Sequence, residues 1–319
     1  MTTTRSIFAA GPARALSAAG RTRPRSGAGL ARADRVADPS GGPRTPWPLR
    51  AAALALVCGL GAPTAGLANP FLDKCLKAEA TSSELAGACQ TALNQGGVSG
   101  RTAAAAWTNY GVALSEMGRD GDAIGAYDRA QQEDSALPAI YVNRALAYSR
   151  RGRTAEALAD WGRAIQLEPS SAEPLVGRAT LQLQRGDASG ALSDLDRAVQ
   201  LAPSNPDAHY NRGVALAALG RLSEAASAFG RVLHFDPSDA AAHLQRGVAL
   251  AKAGDTAGGI ADLDAAVRLS PSWAAAWATR GQLRERAGQG EQAAQDYRRA
   301  FELGYQAPWL NQKIEALGG

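Results

Sequence analysis

The residues able to do chemistry are few. Three histidines and three cysteines are spread over 319 residues. His209 and His243 lie 34 residues apart and could share a metal ion if both rings reached one point. On neighbouring helices roughly 10 Å apart, one ion is hard to share. The other reading is packing, since Trp107, Tyr141, Leu175 and Trp277 fall on the same spacing. His234 has no cysteine or carboxylate motif around it, and no phosphate-binding loop, H-E-x-x-H or G-x-S-x-G appears. The expectation is therefore no catalytic residue, no metal, no cofactor and no enzyme.

Two charged columns recur at the same spacing: Arg144, Arg178, Arg212, Arg246 and Arg280, and Asp160, Asp194, Asp262 and Asp296. They could form a strip for a charged ligand. A structural ladder of Arg–Asp pairs is the expected reading, because repeated columns usually serve the repeat itself.

Cys75 and Cys89 sit in a stretch, 69–103, read as an N-terminal helical hairpin cap. Asn69-Pro70 supplies an N-cap and first helical residue, Thr81-Ser82-Ser83-Glu84 is a capping box, and Gly96-Gly97 ends the second helix. Each cysteine is seven residues from Ser82, near the turn, so the two face each other across the hairpin. A disulfide is predicted, closing a loop worth ~3 kcal/mol on the chain-entropy model. The alternative is two buried free thiols, and a redox-active pair would more often be C-x-x-C.

The element that must position everything else is a repeat. The chain aligns with itself without a gap over six 34-residue units: 104–137, 138–171, 172–205, 206–239, 240–273 and 274–307. Position 8 is small (Gly111, Ala145, Ala179, Gly213, Gly247, Gly281). Position 15 is always glycine: Gly118, Gly152, Gly186, Gly220, Gly254 and Gly288. A residue ending a helix in the left-handed region wants no Cβ. Position 20 is small (Ala123, Ala157, Ala191, Ala225, Gly259, Ala293), so that two antiparallel helices can touch, and Gly259 is expected to weaken its unit. Position 24 is large (Tyr127, Trp161, Leu195, Phe229, Leu263, Tyr297) and is expected to fill the space between units. Pro169, Pro203, Pro237 and Pro271 stop second helices. The fold class is all-α, an α-solenoid of helix–turn–helix units, closed by a capping helix over 308–319 that uses Trp309, Leu310, Ile314 and Leu317.

This small–glycine–small–aromatic–Ala–Pro pattern resembles the tetratricopeptide repeat (TPR) family. The resemblance implies that first helices line a concave groove holding a peptide, with positions 2, 5, 6, 9, 12 and 13 facing it. Asn109, Asn143, Tyr210, Asn211, Val214, Leu244, Gln245 and Val248 are then the expected partner-binding residues. The centre is apolar and flanked by amides, which both donate and accept hydrogen bonds. The expected function is a non-catalytic scaffold or adaptor for a protein or peptide partner with a partly apolar segment. The alternative is a self-associating spacer stacked through Trp107, Trp277 and Trp309.

The net charge of +4 divides unevenly. Residues 1–68 carry nine Arg and two acids, leaving a body of net charge −3, which argues against nucleic-acid binding. Residues 44–68 read as a signal peptide: Arg44 and Arg50, the apolar run 51–60, then small residues to a cleavage site after Ala68. Gly59, Gly61 and Pro63 interrupt the run too early for an uncut membrane anchor. Cys58 lacks the preceding small residue of a lipidation site. Residues 1–43 read as a disordered extension or a misassigned start. The chain resembles exported bacterial TPR proteins, which implies a periplasmic location and no membrane span after cleavage. A bipartite transit peptide to an organelle lumen is the alternative.

Overall fold

The computed structural model describes residues 69–77 and 81–317. The expected signal peptide and everything before it lie outside the described residues. Within them the chain is all-α: fifteen helices and no strand.

Two helices come first, α1 (Pro70–Lys77) and α2 (Ser82–Asn94). The Asn69 side chain accepts from the backbone N–H of Phe71 and Leu72, at 3.0 and 3.1 Å. Thr81 and Glu84 exchange side-chain and backbone bonds, a capping box that opens α2. Gly96 and Gly97, at φ of 74° and 78°, turn the chain away after it. Ser82 is the first residue of α2 rather than the middle of the turn, so Cys75 and Cys89 are not equidistant from the turn. They are brought together by the crossing of α1 over α2, as a disulfide with Cα atoms 4.8 Å apart.

Twelve helices follow in antiparallel pairs: α3 (Gly100–Glu116) with α4 (Asp120–Glu133), α5 (Pro138–Arg150) with α6 (Thr154–Leu167), and α7 (Glu173–Gln184) with α8 (Ala188–Leu201). The pattern continues with α9 (Pro206–Ala218) and α10 (Leu222–Phe235), α11 (Ala240–Lys252) and α12 (Thr256–Leu269), α13 (Ala274–Arg286) and α14 (Gly290–Glu302). Each helix packs on the next, which is the arrangement of a solenoid. Helix α3 starts at Gly100, ahead of the first repeat, because the alanines at 103–106 favour helix and are buried by α2.

The glycines at position 15 end every first helix with φ between 71° and 106°, where a side chain would be strained. The large residue at position 24 fills its own unit in two repeats, where a Cβ on Gly111 would lie 2.4 Å from the Tyr127 ring and one on Gly213 2.7 Å from Phe229, whereas Trp161 of the second repeat sits between units, 2.5 Å from where a Cβ on Gly177 of the third would lie. In each case glycine makes room for the ring. Gly259 is likewise no weakness, since a Cβ there would meet the Gly247 carbonyl at 2.6 Å, and two glycines let α11 and α12 touch backbone to backbone. The last helix, α15, spans Leu310–Leu317 and starts two residues after Pro308. Leu310 is buried, and Trp309, Ile314 and Leu317 pack with it over Ala293 and Tyr297 of α14.

Candidate partner-binding face

The histidine column is built into the turns between units. His209 Nε2 and His243 Nε2 each lie within hydrogen-bond distance of the carbonyl six residues earlier, Pro203 at 2.9 Å and Pro237 at 3.1 Å. Trp277 Nε1 donates to the Pro271 carbonyl at 3.0 Å, and the Tyr141 hydroxyl donates to that of Ser135 at 2.9 Å. In these four units the column is a ring with a polar edge that ties the first helix to the preceding turn. Among the described residues no three His, Cys, Asp or Glu side chains cluster to hold a metal.

The charged columns pair with each other. Arg144, Arg178, Arg246 and Arg280 each clamp the aspartate 16 residues ahead with Nε and Nη2, at 2.5–2.9 Å. Three acids that the sequence reading passed over complete the ladder. Arg144 also reaches back to Asp128, Arg212 to Asp196 and Arg280 to Asp264, at 2.6–2.7 Å. Each of these backward bonds joins two successive repeats. In the second and fourth repeats the same place is held by Gly162 and Gly230, and no backward pair forms from Arg178 or Arg246. Asp262 shows the balance of forces. Burial pushes its carboxyl up, but Arg246 and His243 outweigh burial and hold it below the usual carboxylate value.

The expected groove residues divide into two groups. Asn109 is 1% exposed and donates to the Cys75 carbonyl of α1 at 2.8 Å. Asn143 is 3% exposed and donates to the Ala139 carbonyl of its own helix. Leu244 is buried against Leu263 and Ala276. None of these three is placed to meet a ligand: the N-terminal hairpin covers the first, helix packing absorbs the second, and the core takes the third. Tyr210, Asn211, Val214, Gln245 and Val248 are half-buried and open to solvent. Asn211 donates to the Thr180 hydroxyl of the preceding repeat at 3.2 Å, which sets α7 beside α9.

A hollow on this face lies one repeat earlier than the sequence suggests. A cavity of about 100 Å³ is lined by Trp161, Val176, Gly177, Thr180 and Leu181, with Ser149, Glu173, Gln184, Asn205 and Asp207 at its polar edge. Five of these (Glu173, Val176, Gly177, Thr180 and Gln184) stand at repeat positions 2, 5, 6, 9 and 13 of the third unit. Position 6 carries an amide or threonine in the other five units, and glycine in the third. A Cβ on Gly177 would lie 2.5 Å from the Trp161 ring, so the bare backbone lets the indole reach across from α6.

The tetratricopeptide repeat profile matches four overlapping windows, residues 142–206, 176–240, 210–274 and 244–308, together just over half the chain. The chain belongs to the tetratricopeptide repeat family. The windows advance by 34 residues, the period of the repeat.

No curated protein matches the sequence. Solved structures do. A TPR protein from Parabacteroides merdae is 20% identical, with a TM-score of 0.55 over 78% of this chain and 98% of its own. The C-terminal part of a TPR repeat-containing protein from Cytophaga hutchinsonii is 12% identical, with a TM-score of 0.62 over 77% and 99%. YrrB, described as a TPR protein with an unusual peptide-binding site, is 24% identical, with a TM-score of 0.53 over 64% and 99%. These likenesses show the fold. TPR arrays are in general non-catalytic scaffolds for protein–protein interaction, and this chain has that architecture. No helix among its described residues is long and apolar enough to cross a membrane.

Proposed function

We propose that this TPR protein is an adaptor acting outside the cytoplasm, holding an extended, partly apolar segment of a protein partner along α7, α9 and α11. The observation that carries this reading is the unequal exposure of equivalent positions. In the first two repeats, Val112, Val142 and Leu146 are buried, whereas Val176, Val214 and Val248 are half-exposed in the next three. Half-exposed valines beside Asn211 and Gln245 suit a segment with alternating apolar side chains and a backbone in need of partners. A peptide is also the class of ligand ascribed to YrrB. The Arg-led apolar run at 44–68 and the Cys75–Cys89 pair both favour export to an oxidising compartment, and the periplasm is the proposed location.

Val214→Asp with Val248→Asp places two charges on the open face without touching Leu244. Pull-down from the native envelope with the double variant should lose the partner that the wild-type chain retains, with unchanged helicity. Full retention would sink this reading. The spacer alternative draws less support, because Trp277 and Trp309 are engaged within the chain, Trp277 under Arg280 and Trp309 against Tyr297. Sedimentation of the mature protein as a monomer favours the adaptor.

A further inference from the structure

The cavity over Trp161 has chemistry of its own. Its floor is apolar, made by the indole, Val176 and Leu181. At about 100 Å³ it has room for one side chain rather than a backbone. Trp161 is 1% exposed and its Nε1–H finds no acceptor among the described residues, so the floor carries an unmet donor. The edge is acidic. Glu173 opens α7 and forms no ion pair with a basic side chain among the described residues, and Asp207 at the start of α9 lines the same edge. Burial, then the neighbouring Glu168, push the Glu173 carboxyl up to about 7. A half-buried carboxylate facing more negative charge is short of a cation.

Resting on the reading of this face as a peptide site, we infer that the third-repeat cavity selects a lysine of the partner segment. Its aliphatic stem would lie on Trp161, Val176 and Leu181, and its ammonium would meet Glu173 and Asp207. A long apolar stem with a compact cationic head matches a deep apolar floor with an acidic rim. An aliphatic side chain would fill the floor but leave Glu173 further desolvated and unpaired. An acidic side chain would meet repulsion from both carboxylates.

The test uses the mature chain and short acetylated peptides of alternating valine and alanine, with lysine, norleucine or glutamate at the centre. Binding is measured by fluorescence anisotropy. The lysine peptide should bind about ten-fold more tightly than the norleucine peptide, the scale of one charge-assisted hydrogen bond, and the glutamate peptide most weakly. Glu173→Gln should bring lysine and norleucine peptides to within about two-fold of each other. Glu173→Lys, which brings its own ammonium to the rim, should make the lysine peptide the weaker of the two. Equal binding of lysine and norleucine peptides to the wild-type chain, or no binding of either, overturns the inference. So does a lysine preference that survives Glu173→Gln. The proposed adaptor role fails separately, through retention of the partner by the Val214→Asp, Val248→Asp variant.

Discussion

The second repeat and the third begin from one pattern and arrive at different surfaces. In the second, position 6 is Asn143, buried with its amide spent on its own helix, and Tyr141, Leu146 and Tyr148 close around it. In the third, position 6 is Gly177, and the space it leaves is a cavity floored by the indole of the second repeat. The arginines differ in the same sense. Arg144 is 8% exposed, holds Asp128 and Asp160 together, and lies over the Tyr141 and Tyr148 rings. Arg178 is more exposed and holds Asp194 alone among the ion pairs described. The sealed repeat contributes cohesion and the open one a surface, and two glycines separate them: Gly177, which leaves the cavity, and Gly162, which leaves Arg178 without a second aspartate.

The comparison is broken most forcefully at Arg144. Arg144→Ala leaves Asp160 buried without its partner and should cost about 3–5 kcal/mol of unfolding free energy. Arg178→Ala orphans an equally buried Asp194 but breaks one ion pair instead of two, and should cost less, about 2–3 kcal/mol. Urea unfolding of the two variants checks the ranking, and equal losses would erase the distinction. Next comes the cap that seals the first repeat. Cys75→Ser with Cys89→Ser should cost about 3 kcal/mol. Alkylation with and without reductant, followed by mass measurement, tests the pairing directly. Hydrogen exchange should then rise in α3, where Asn109 loses its partner, and stay unchanged in α13 and α14.

Two smaller effects depend on pH and have opposite signs. Asp262 and Asp120 have carboxyls held below the usual value, Asp262 by Arg246 and His243 and Asp120 by Arg150 and Ser115, each against burial. Their stabilisation is present above the unfolded-state value near 3.8 and is lost as pH falls through the lower folded value. Glu173 runs the other way. Its folded value of about 7 lies above the unfolded value near 4.5, so its ionisation destabilises the fold as pH rises between the two. Glu173→Gln should therefore melt like the wild type at pH 4 and a few degrees higher at pH 8, or about 1 kcal/mol after allowing for lost charge at the helix N-terminus. A wild-type advantage at pH 8 would show that Glu173 already has a cation within the fold.

The repeat was legible because it is written six times. The glycines at position 15 and the small residues at 8 and 20 respond to backbone geometry, which is the same in every unit. The Arg–Asp ladder was half legible: the forward pairs lie in a constant column, while Asp128, Asp196 and Asp264 alternate with Gly162 and Gly230 and do not form one. The open face was less legible still. Asn109 and Asn143 stand at the same repeat position as Asn211, but α1 lies on one and neighbouring helices enclose the other. The cavity depends on a departure from its column, and its deepest residue, Trp161, belongs to another repeat's second helix. Column averages conceal both facts.

The backward arginine bonds divide the array in a way no single repeat reveals. Arg144–Asp128, Arg212–Asp196 and Arg280–Asp264 rivet the first repeat to the second, the third to the fourth and the fifth to the sixth. At the two junctions between these pairs the rivet is missing, with Gly162 and Gly230 in its place. Along the array, junctions that carry this ion pair alternate with junctions that lack it. The first junction without it falls where the third repeat's cavity borrows its floor from the second.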